Sequence, residues 1–339
     1  MSKADPIPLK GSHRLVSRLL RKGIGGISIA VVVLGATAAL AQDLSKKPIH
    51  LIAPMAPGGA VDTVSRLVGQ QLSIQLGQPV VVENKPGAGG IVAASFVARS
   101  SPDGFTVFAA DTGQLSINPS LYKALPYDVS KPFVPVMEAV TTPLFLAVNA
   151  SLPIHSVKEL IAYAKAHPLS YGSTGIGSVH QLSVESLAQQ TGMKLTHVPY
   201  KGASPAAVAL AANEVSLAAA SLSSLRPYLD SGKIRLIAVT TRNRAAVMPN
   251  VPSVAESGVA GFDVAVGIGF VLPPGASQSV ANRLHDGLAK AMASPDVKQK
   301  LEALGWEIRA GSQQQYDQRI RSDAAMYRKV IEAAGLRVE

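Results

Sequence analysis

The chain has 339 residues, a hydrophobic fraction of 47% and a formal net charge of +10. This length is enough for two domains with their own cores. The absence of cysteine excludes disulfides, thiol catalysis and cysteine-based metal sites. After the N-terminal leader there is no cluster of basic and aromatic residues, so we expect no nucleic-acid partner.

The first 41 residues have the order of a secretory signal peptide. Six basic residues belong to this leader, residues 24–40 are mostly apolar, and Ala39-Leu40-Ala41 is a small-residue cleavage pattern. An uncleaved membrane anchor is the alternative, but the apolar run contains three glycines and falls short of the ~20 residues of a spanning helix. Cleavage would leave 26 basic and 21 acidic residues, a net charge of +5 that suits anionic small molecules. We therefore expect a periplasmic protein, soluble after cleavage.

Strand and helix patterns alternate along the rest of the chain. This alternation predicts parallel sheets covered by helices. The predicted strands are residues 49–53, 79–83, 105–110, 134–140, 144–148, 170–173, 195–198, 215–219, 234–240 and 262–272. The predicted helices are residues 61–76, 91–98, 157–166, 179–190 and 205–212, followed by an almost wholly helical region over 277–335.

Glycine-rich loops follow the strands where the chain enters helices. Ligands of open α/β sheets bind beyond the carboxyl ends of the strands. The free N–H groups and partial positive charge of helix N-termini hold carboxylates there without arginine. Glycine at one such turn is ordinary turn chemistry, but five turns together favour a carboxylate cradle. The five loops are residues 57–62, 86–90, 111–113, 173–178 and 200–204.

A series of longer motifs runs through residues 47–335. The motifs are PIHLI (48–52) with PGGAVD (57–62), LGQPVVVENKPGAGG (76–90), SPDGFT (101–106), NPSLY (118–122), LPYD (125–128), HVPYKG (197–202) and PNVPSVAESG (249–258). In type and order they resemble the Bug, or TctC-like, receptors, which are the extracytoplasmic solute-binding proteins of tripartite tricarboxylate transporters.

The resemblance implies a type II periplasmic-binding-protein fold, an α/β architecture with two lobes around a ligand cleft. Signal peptide 1–41 would precede lobe one, residues 43–145 plus 269–339, and lobe two, residues 146–268. The implied function is capture of a small carboxylate-containing compound for uptake by TctA/TctB-like membrane subunits. We expect a monomer with no cofactor, no metal and no catalysis.

The resemblance also implies a set of ligand-binding residues in loops that face the cleft. Lobe one would offer Ala56, Gly58, Gly59, Ala60, Asp62, Thr112 and Gly113. Lobe two would offer Ser173, Thr174, Ser178, His180, Tyr200, Lys201, Gly202 and Ser221.

Some of these side chains also suit purely structural roles. Asp62 lies near a helix start, where aspartate caps backbone amides. His180 could be a satisfied helix histidine, and Lys201 could point to solvent. Thr112 and Ser178 are the stronger candidates for direct hydroxyl donors.

Three departures from the family pattern bear on the ligand. Met55, in Pro54-Met55-Ala56-Pro57, stands where an aromatic residue is common, Ala220-Ser221 stands where Asp-Asn is common, and Gly267-Ile268 replaces an aromatic at the second crossing. We therefore expect a wider and less charged cleft, in which a ligand amino group lacks one carboxylate partner.

Other functional classes remain as alternatives. The same receptor could signal to a membrane sensor instead of feeding a transporter. An exported enzyme is less favoured, because no His-x-x-x-His pair, Gly-x-Ser-x-Gly elbow, phosphate-binding loop or dinucleotide fingerprint is present. A ligand-sensing regulator would need a DNA-binding helix pair at the N-terminus, where this chain has its leader.

The leader gives a direct prediction about the native protein. We expect the mature chain to begin at Gln42, because cleavage follows the small residue Ala41. Mass spectrometry of the N-terminal peptide from a periplasmic extract measures this. Recovery of residues 1–41 on the membrane-bound protein would contradict it.

Overall fold

The computed structural model describes residues 47–338. The predicted signal peptide, its cleavage site and residues 43–46 of the predicted lobe one lie outside this range. None of the helices it describes is both long enough and apolar enough to cross a membrane.

The described chain alternates strands and helices much as the sequence predicts. The strands are β1 (Ile49–Ala53), β2 (Val80–Asn84), β3 (Thr106–Asp111), β4 (Val134–Pro143), β5 (Phe145–Asn149), β6 (Leu169–Ser173), β7 (Leu195–Pro199), β8 (Leu217–Ala220), β9 (Ile234–Val239), β10 (Ala265–Leu272) and β11 (Glu307–Ile308). The helices are α1 (Ala60–Leu76), α2 (Ile91–Ala98), α3 (Asn118–Leu121), α4 (Val157–Ala166), α5 (Val179–Thr191), α6 (Ala203–Ala211), α7 (Leu222–Asp230), α8 (Gln278–Ala293), α9 (Pro295–Ala303) and α10 (Gln313–Ala333). A 3₁₀ turn (Ala88–Gly90) and a π turn (Gly113–Ile117) complete the set.

The strands form two sheets, one in each lobe. The first has the order β11-β4-β10-β3-β1-β2 and the second β7-β6-β8-β5-β9. The expectation of parallel sheets is wrong in part. β1, β2 and β3 are parallel, as are β6, β7 and β8, but β10 runs antiparallel to β3 and β4, and β5 to β8 and β9. A parallel neighbour needs a crossover connection, whereas β5 and β10 enter their sheets directly from the other sheet.

The chain passes between the sheets twice. The first passage is Leu144, the one residue between β4 and β5, and the second is the connection 240–264 between β9 and β10. The predicted lobe limits at residues 145 and 268 stay a prediction. β5 already begins at Phe145 in the second sheet, and β10 begins at Ala265 in the first.

One buried threonine ties the two passages together. The Thr240 hydroxyl lies 2.7 Å from the Val264 carbonyl and 3.0 Å from the Leu144 carbonyl, so its proton is available to either acceptor. The same oxygen accepts the Leu144 N–H at 3.2 Å. Two backbone hydrogen bonds complete the set: the Thr240 N–H donates to the Leu144 carbonyl, and the Val264 N–H donates to the Thr240 carbonyl. We call this set the passage clasp.

Four hydrophobic clusters fill the interior of the part of the chain between residues 47 and 338. Two of them lie on the faces of the first sheet, and a third packs α6 and α7 against the second. The fourth combines Ile117 and Leu121 with second-sheet residues and with Tyr327, Val330 and Ile331 of α10. Because Tyr316, near the start of α10, packs with the first sheet, this helix belongs to both cores.

Some elements differ from the sequence prediction. The serines after Ser221 and the internal Pro227 weaken the helical pattern, yet residues 222–230 form α7 and bury Leu225. The helical tail is interrupted where Gly305, at φ +80°, turns the chain into the short strand β11. Residues 262–264, predicted as strand, belong to the second passage because the Val264 N–H bonds to Thr240.

Replacing Thr240 by valine tests the passage clasp. Valine keeps the shape but leaves two buried carbonyls and a buried N–H with one partner fewer. We expect the free energy of unfolding to fall by about 1–3 kcal/mol, measured by urea denaturation. Thr196→Val, at an exposed position of β7, is the control and should change little. Equal stability of the two variants would contradict a structural role for the hydroxyl.

Candidate functional site

A cavity of about 310 Å³ lies between residues of the two lobes. It lies at the carboxyl ends of β3 and β6, where open α/β sheets place their ligands. The lining residues that belong to the predicted lobe one are Met55, Gly89, Asp111, Gly113, Gln114, Asn118, Leu121 and Tyr122. The rest of the lining is Thr174, Gly175, Ile176, Gly177, Ser178, Val179, His180 and Val266.

Asp111 ends β3 and contributes a carboxyl group to the cavity wall. Its Oδ1 accepts the Gly113 N–H at 2.7 Å, and its own N–H donates to Gln114 Oε1 at 2.9 Å. Burial raises the pKa of Asp111 to about 6, although hydrogen bonds from Gly113 and Gln114 act in the opposite direction. The carboxyl group therefore sits in the wall without full compensation for the loss of water.

The same wall is held by a tight glycine turn. Gln114 Nε2 and Asn118 Nδ2 both donate to the Gly89 carbonyl, at 3.2 and 3.1 Å. Gly90 follows with φ +87°, and a Cβ there would lie 2.7 Å from the Gln114 side chain. Only glycine fits this position, so the 86–90 motif shapes the wall through its backbone.

Helix α5 begins at the opposite wall. Ser178 is its N-cap and accepts the Gln181 N–H at 3.2 Å, while its hydroxyl donates to the Gly175 carbonyl at 2.8 Å. Among the described residues, none accepts the backbone N–H of Val179 or His180. Two helix N–H donors therefore remain available at the cavity, with the positive end of the helix dipole.

His180 adds a neutral imidazole to this wall. Its Nδ1 lies 3.1 Å from Thr174 Oγ1, and burial lowers its pKa to about 4. At neutral pH the ring is therefore uncharged. None of the side chains that line the cavity is Lys or Arg, so its polar character comes from one carboxyl, hydroxyls, amides and backbone N–H groups.

The two walls touch at Gly177. This glycine has φ +76°, and its N–H donates to Gln181 Oε1 at 2.7 Å. A Cβ built on it would overlap Leu121 of α3. A glycine here is therefore required by both backbone conformation and the approach of the facing wall.

Asp62, near the start of α1, stabilises the loop that precedes this helix. Its carboxylate accepts from Gly58 N at 2.9 Å, Arg66 Nε at 3.0 Å and Asn84 Nδ2 at 2.9 Å. Burial opposes ionisation, but these hydrogen bonds outweigh it and hold the pKa of Asp62 below 3.8. Both carboxylate oxygens are thus engaged with the protein, which fits a structural role.

Of the fifteen predicted ligand-binding residues, four line the cavity: Gly113, Thr174, Ser178 and His180. Thr112 is buried, and its hydroxyl accepts the Gly267 N–H at 2.9 Å. Ser173 is buried and bonded to Gly175 and His197. The remaining residues do not line this cavity: Ala56, Gly58, Gly59, Ala60, Asp62, Tyr200, Lys201, Gly202 and Ser221. Ligand contact by any of the fifteen stays a prediction.

Sequence reasoning missed Asp111 as a cavity residue. Its position could have identified it, because Asp111 comes directly after a predicted strand and within a loop that the sequence analysis had already singled out. The expectation that a ligand amino group lacks one carboxylate partner, at Ala220-Ser221, stays a prediction, and Asp111 is a different carboxyl group in the cavity wall. Asn118 and Tyr122 were also within a recognised motif without being assigned to the site.

A second cavity of about 470 Å³ lies beside α10 and the second passage. Four arginines line it, but their guanidinium groups already have carboxylate partners in Asp263, Glu256, Glu307 and Asp323. An anion would have to compete with these built-in counterions. The smaller cavity, with free helix N–H donors, is the better candidate for a ligand site.

Comparison with known proteins agrees with this architecture. Residues 64–336 match the model of the "Tripartite tricarboxylate transporter family receptor". A Pseudomonas sp. (strain P51) relative, "UPF0065 protein in tcbD-tcbE intergenic region", is 34% identical over 92% of this chain and 93% of its own. The chain therefore belongs to the tripartite tricarboxylate transporter receptor family, and the resemblance to TctC-like receptors is confirmed.

Solved structures of similar proteins share the two-lobe fold. "R. palustris Rpa4515 with adipate" is 34% identical, with a TM-score of 0.73 over 86% of this chain and 98% of its own. "MatC (Rpa3494) from Rhodopseudomonas palustris with bound malate" is 29% identical, with a TM-score of 0.70 over 84% of this chain and 98% of its own.

The position of Asp111 predicts a pH-dependent cost in stability. Its native pKa of about 6 exceeds its ordinary value of 3.8, so the native state binds the proton more tightly and the ionised side chain destabilises the fold above about pH 6. Asp111→Asn should raise the free energy of unfolding by about 1–2 kcal/mol at pH 8, allowing for partial solvent access. The gain should shrink as the pH falls towards 4.

Urea denaturation at pH 8 and at pH 4.5 measures this difference. Asp286→Asn removes a carboxylate whose side chain is 76% exposed and serves as the control. A loss of stability in Asp111→Asn at pH 8 would mean that the carboxylate stabilises the wall.

Proposed function

We propose that this protein is a periplasmic receptor that captures a small carboxylate-containing compound between its lobes. It would deliver the compound to TctA/TctB-like membrane subunits for tripartite tricarboxylate-type uptake, acting as a monomer. The observation that carries the proposal is the pair of unpaired N–H groups at the start of α5, which open onto the cavity in a chain of this receptor family.

The chemistry of the wall supports an anion held without arginine. The N–H groups of Val179 and His180 would donate to the carboxylate, and the Ser178 and Thr174 hydroxyls lie beside them. His180 is neutral and can donate or accept one hydrogen bond, according to its tautomer. Adipate and malate in the related structures are carboxylates of a size that suits such a site.

Capture requires the lobes to close on the ligand. The passage clasp holds both connections at one point, and the cavity wall is divided between the lobes. Rotation about the passages would open and shut the cavity, which is the hinge motion common in two-lobe binding proteins.

Release of an unchanged ligand is the expected outcome. The strongest enzyme-like pair in the described residues is Ser173 with His197, whose Oγ and Nε2 lie 2.7 Å apart. Ser173 is 1% exposed and also bonds to Gly175, so its hydroxyl is not open to a substrate. No group of three acidic, cysteine or histidine residues within 47–338 is arranged to hold a metal ion.

A thermal-shift screen of mono-, di- and hydroxycarboxylates tests the proposal. A ligand at a hundredfold excess over its dissociation constant stabilises the native state by about 2.7 kcal/mol, which raises the unfolding temperature. Mass spectrometry should return the ligand intact. Stabilisation by no carboxylate, or sustained turnover of one, would contradict the receptor function.

The Gly177→Ala variant locates the binding site. The added Cβ overlaps Leu121, so the walls cannot approach and affinity for the best ligand should fall at least about tenfold. Gly192→Ala is the matched control, because Gly192 has a similar φ of +72° but no atom within 4 Å of the new Cβ. Calorimetry should therefore show near-normal binding in the control. Equal loss in both variants would place the ligand away from this contact.

A further inference from the structure

The carboxyl group of Asp111 is a half-buried charge that the anion-binding role does not explain. It lines the same cavity as the α5 N-terminus. No Lys, Arg or His among the described residues forms an ion pair with it. A carboxyl group in such a wall is costly unless something pairs with it.

The rest of the cavity offers no compensation. The other ionisable side chains of the lining are His180 and Tyr122. His180 is directed at Thr174 through Nδ1, and burial lowers its pKa to about 4, so the ring carries no positive charge at neutral pH. An acidic group on one wall thus faces helix N–H donors on the other, and the cavity is bipolar.

A second carboxylate on the ligand would meet Asp111 unfavourably. Two like charges at short range repel, whereas a hydroxyl or ammonium group would donate to the Asp111 oxygens. A ligand with an acceptor end and a donor end matches both walls at once. A plain dicarboxylate or an unsubstituted acid matches only the α5 wall.

We infer that Asp111 selects ligands with a hydroxyl or ammonium donor beside the carboxylate, which makes small hydroxy acids and amino acids the preferred class. The inference rests on the proposed function, because it takes the ligand carboxylate to lie at the start of α5. It adds a specificity-determining residue on the facing wall and a chemical requirement for the second functional group of the ligand.

Ligands that differ in a single functional group test whether a donor beside the carboxylate is required. Succinate, malate and aspartate share a four-carbon diacid skeleton and differ in one group, and propionate, lactate and alanine repeat the comparison with one carboxylate. Calorimetry at pH 7.5 gives the affinity of each for the wild-type protein. We expect the donor-bearing member of at least one series to bind at least about tenfold more tightly than its unsubstituted partner.

Asp111→Asn should reduce this preference. The amide oxygen can still accept the Gly113 N–H, but the charge is gone, so the unsubstituted acid should gain affinity and the ratio should fall to within about threefold. Asp286→Asn, an exposed carboxylate on α8, should keep the wild-type ratio. Asp111→Ser provides a second, smaller replacement, and circular dichroism checks that each variant is folded.

The outcomes separate the two proposals. Tight binding of carboxylates with the same ratio in wild type, Asp111→Asn and Asp111→Ser overturns the inference and leaves the receptor function in place. Wild-type preference for the unsubstituted acids also overturns it. Binding of none of the six acids overturns the carboxylate receptor function and the inference with it.

Discussion

The passage clasp is the constraint on which the rest of the architecture depends. The chain leaves the first sheet at Leu144 and returns before Ala265, and a single Thr240 hydroxyl lies within hydrogen-bond distance of both connections. Two independent connections could shift relative to one another. Because these two share buried hydrogen bonds, the lobes are joined at one compact point, and the cavity walls that face each other keep a defined alignment.

That alignment allows several groups, each of which binds a ligand only weakly, to act together in the cavity. Helix N–H groups, two hydroxyls and a neutral imidazole provide little binding energy singly. Held in fixed positions by the Ser178 cap, the Gln181–Gly177 bond and the Gly89 turn, they lose little freedom when a ligand arrives. Preorganisation, rather than a strong positive charge, is the physical basis of the site.

Much of the fold could be predicted from the sequence, because the strands are short apolar runs and the helices alternate with them. The antiparallel strands β5 and β10 could not, since their direction depends on the chain entering each sheet from the other lobe. Residues that line the candidate cavity could be predicted where a loop both follows a strand and opens a helix, as at Thr174 and Ser178. Asp62 and Thr112 have the expected positions but hold the protein's own backbone, which only tertiary contacts reveal.

Helix α10 has a consequence for how the protein is made. Three of the four hydrophobic clusters draw on residues beyond position 260, and Tyr327, Val330 and Ile331 complete the cluster against α5. A chain that emerges amino end first therefore leaves most of its core open until its last quarter is available. Stable folding is thus delayed until synthesis is nearly finished, because the carboxyl-terminal helices complete the cores that the earlier elements begin.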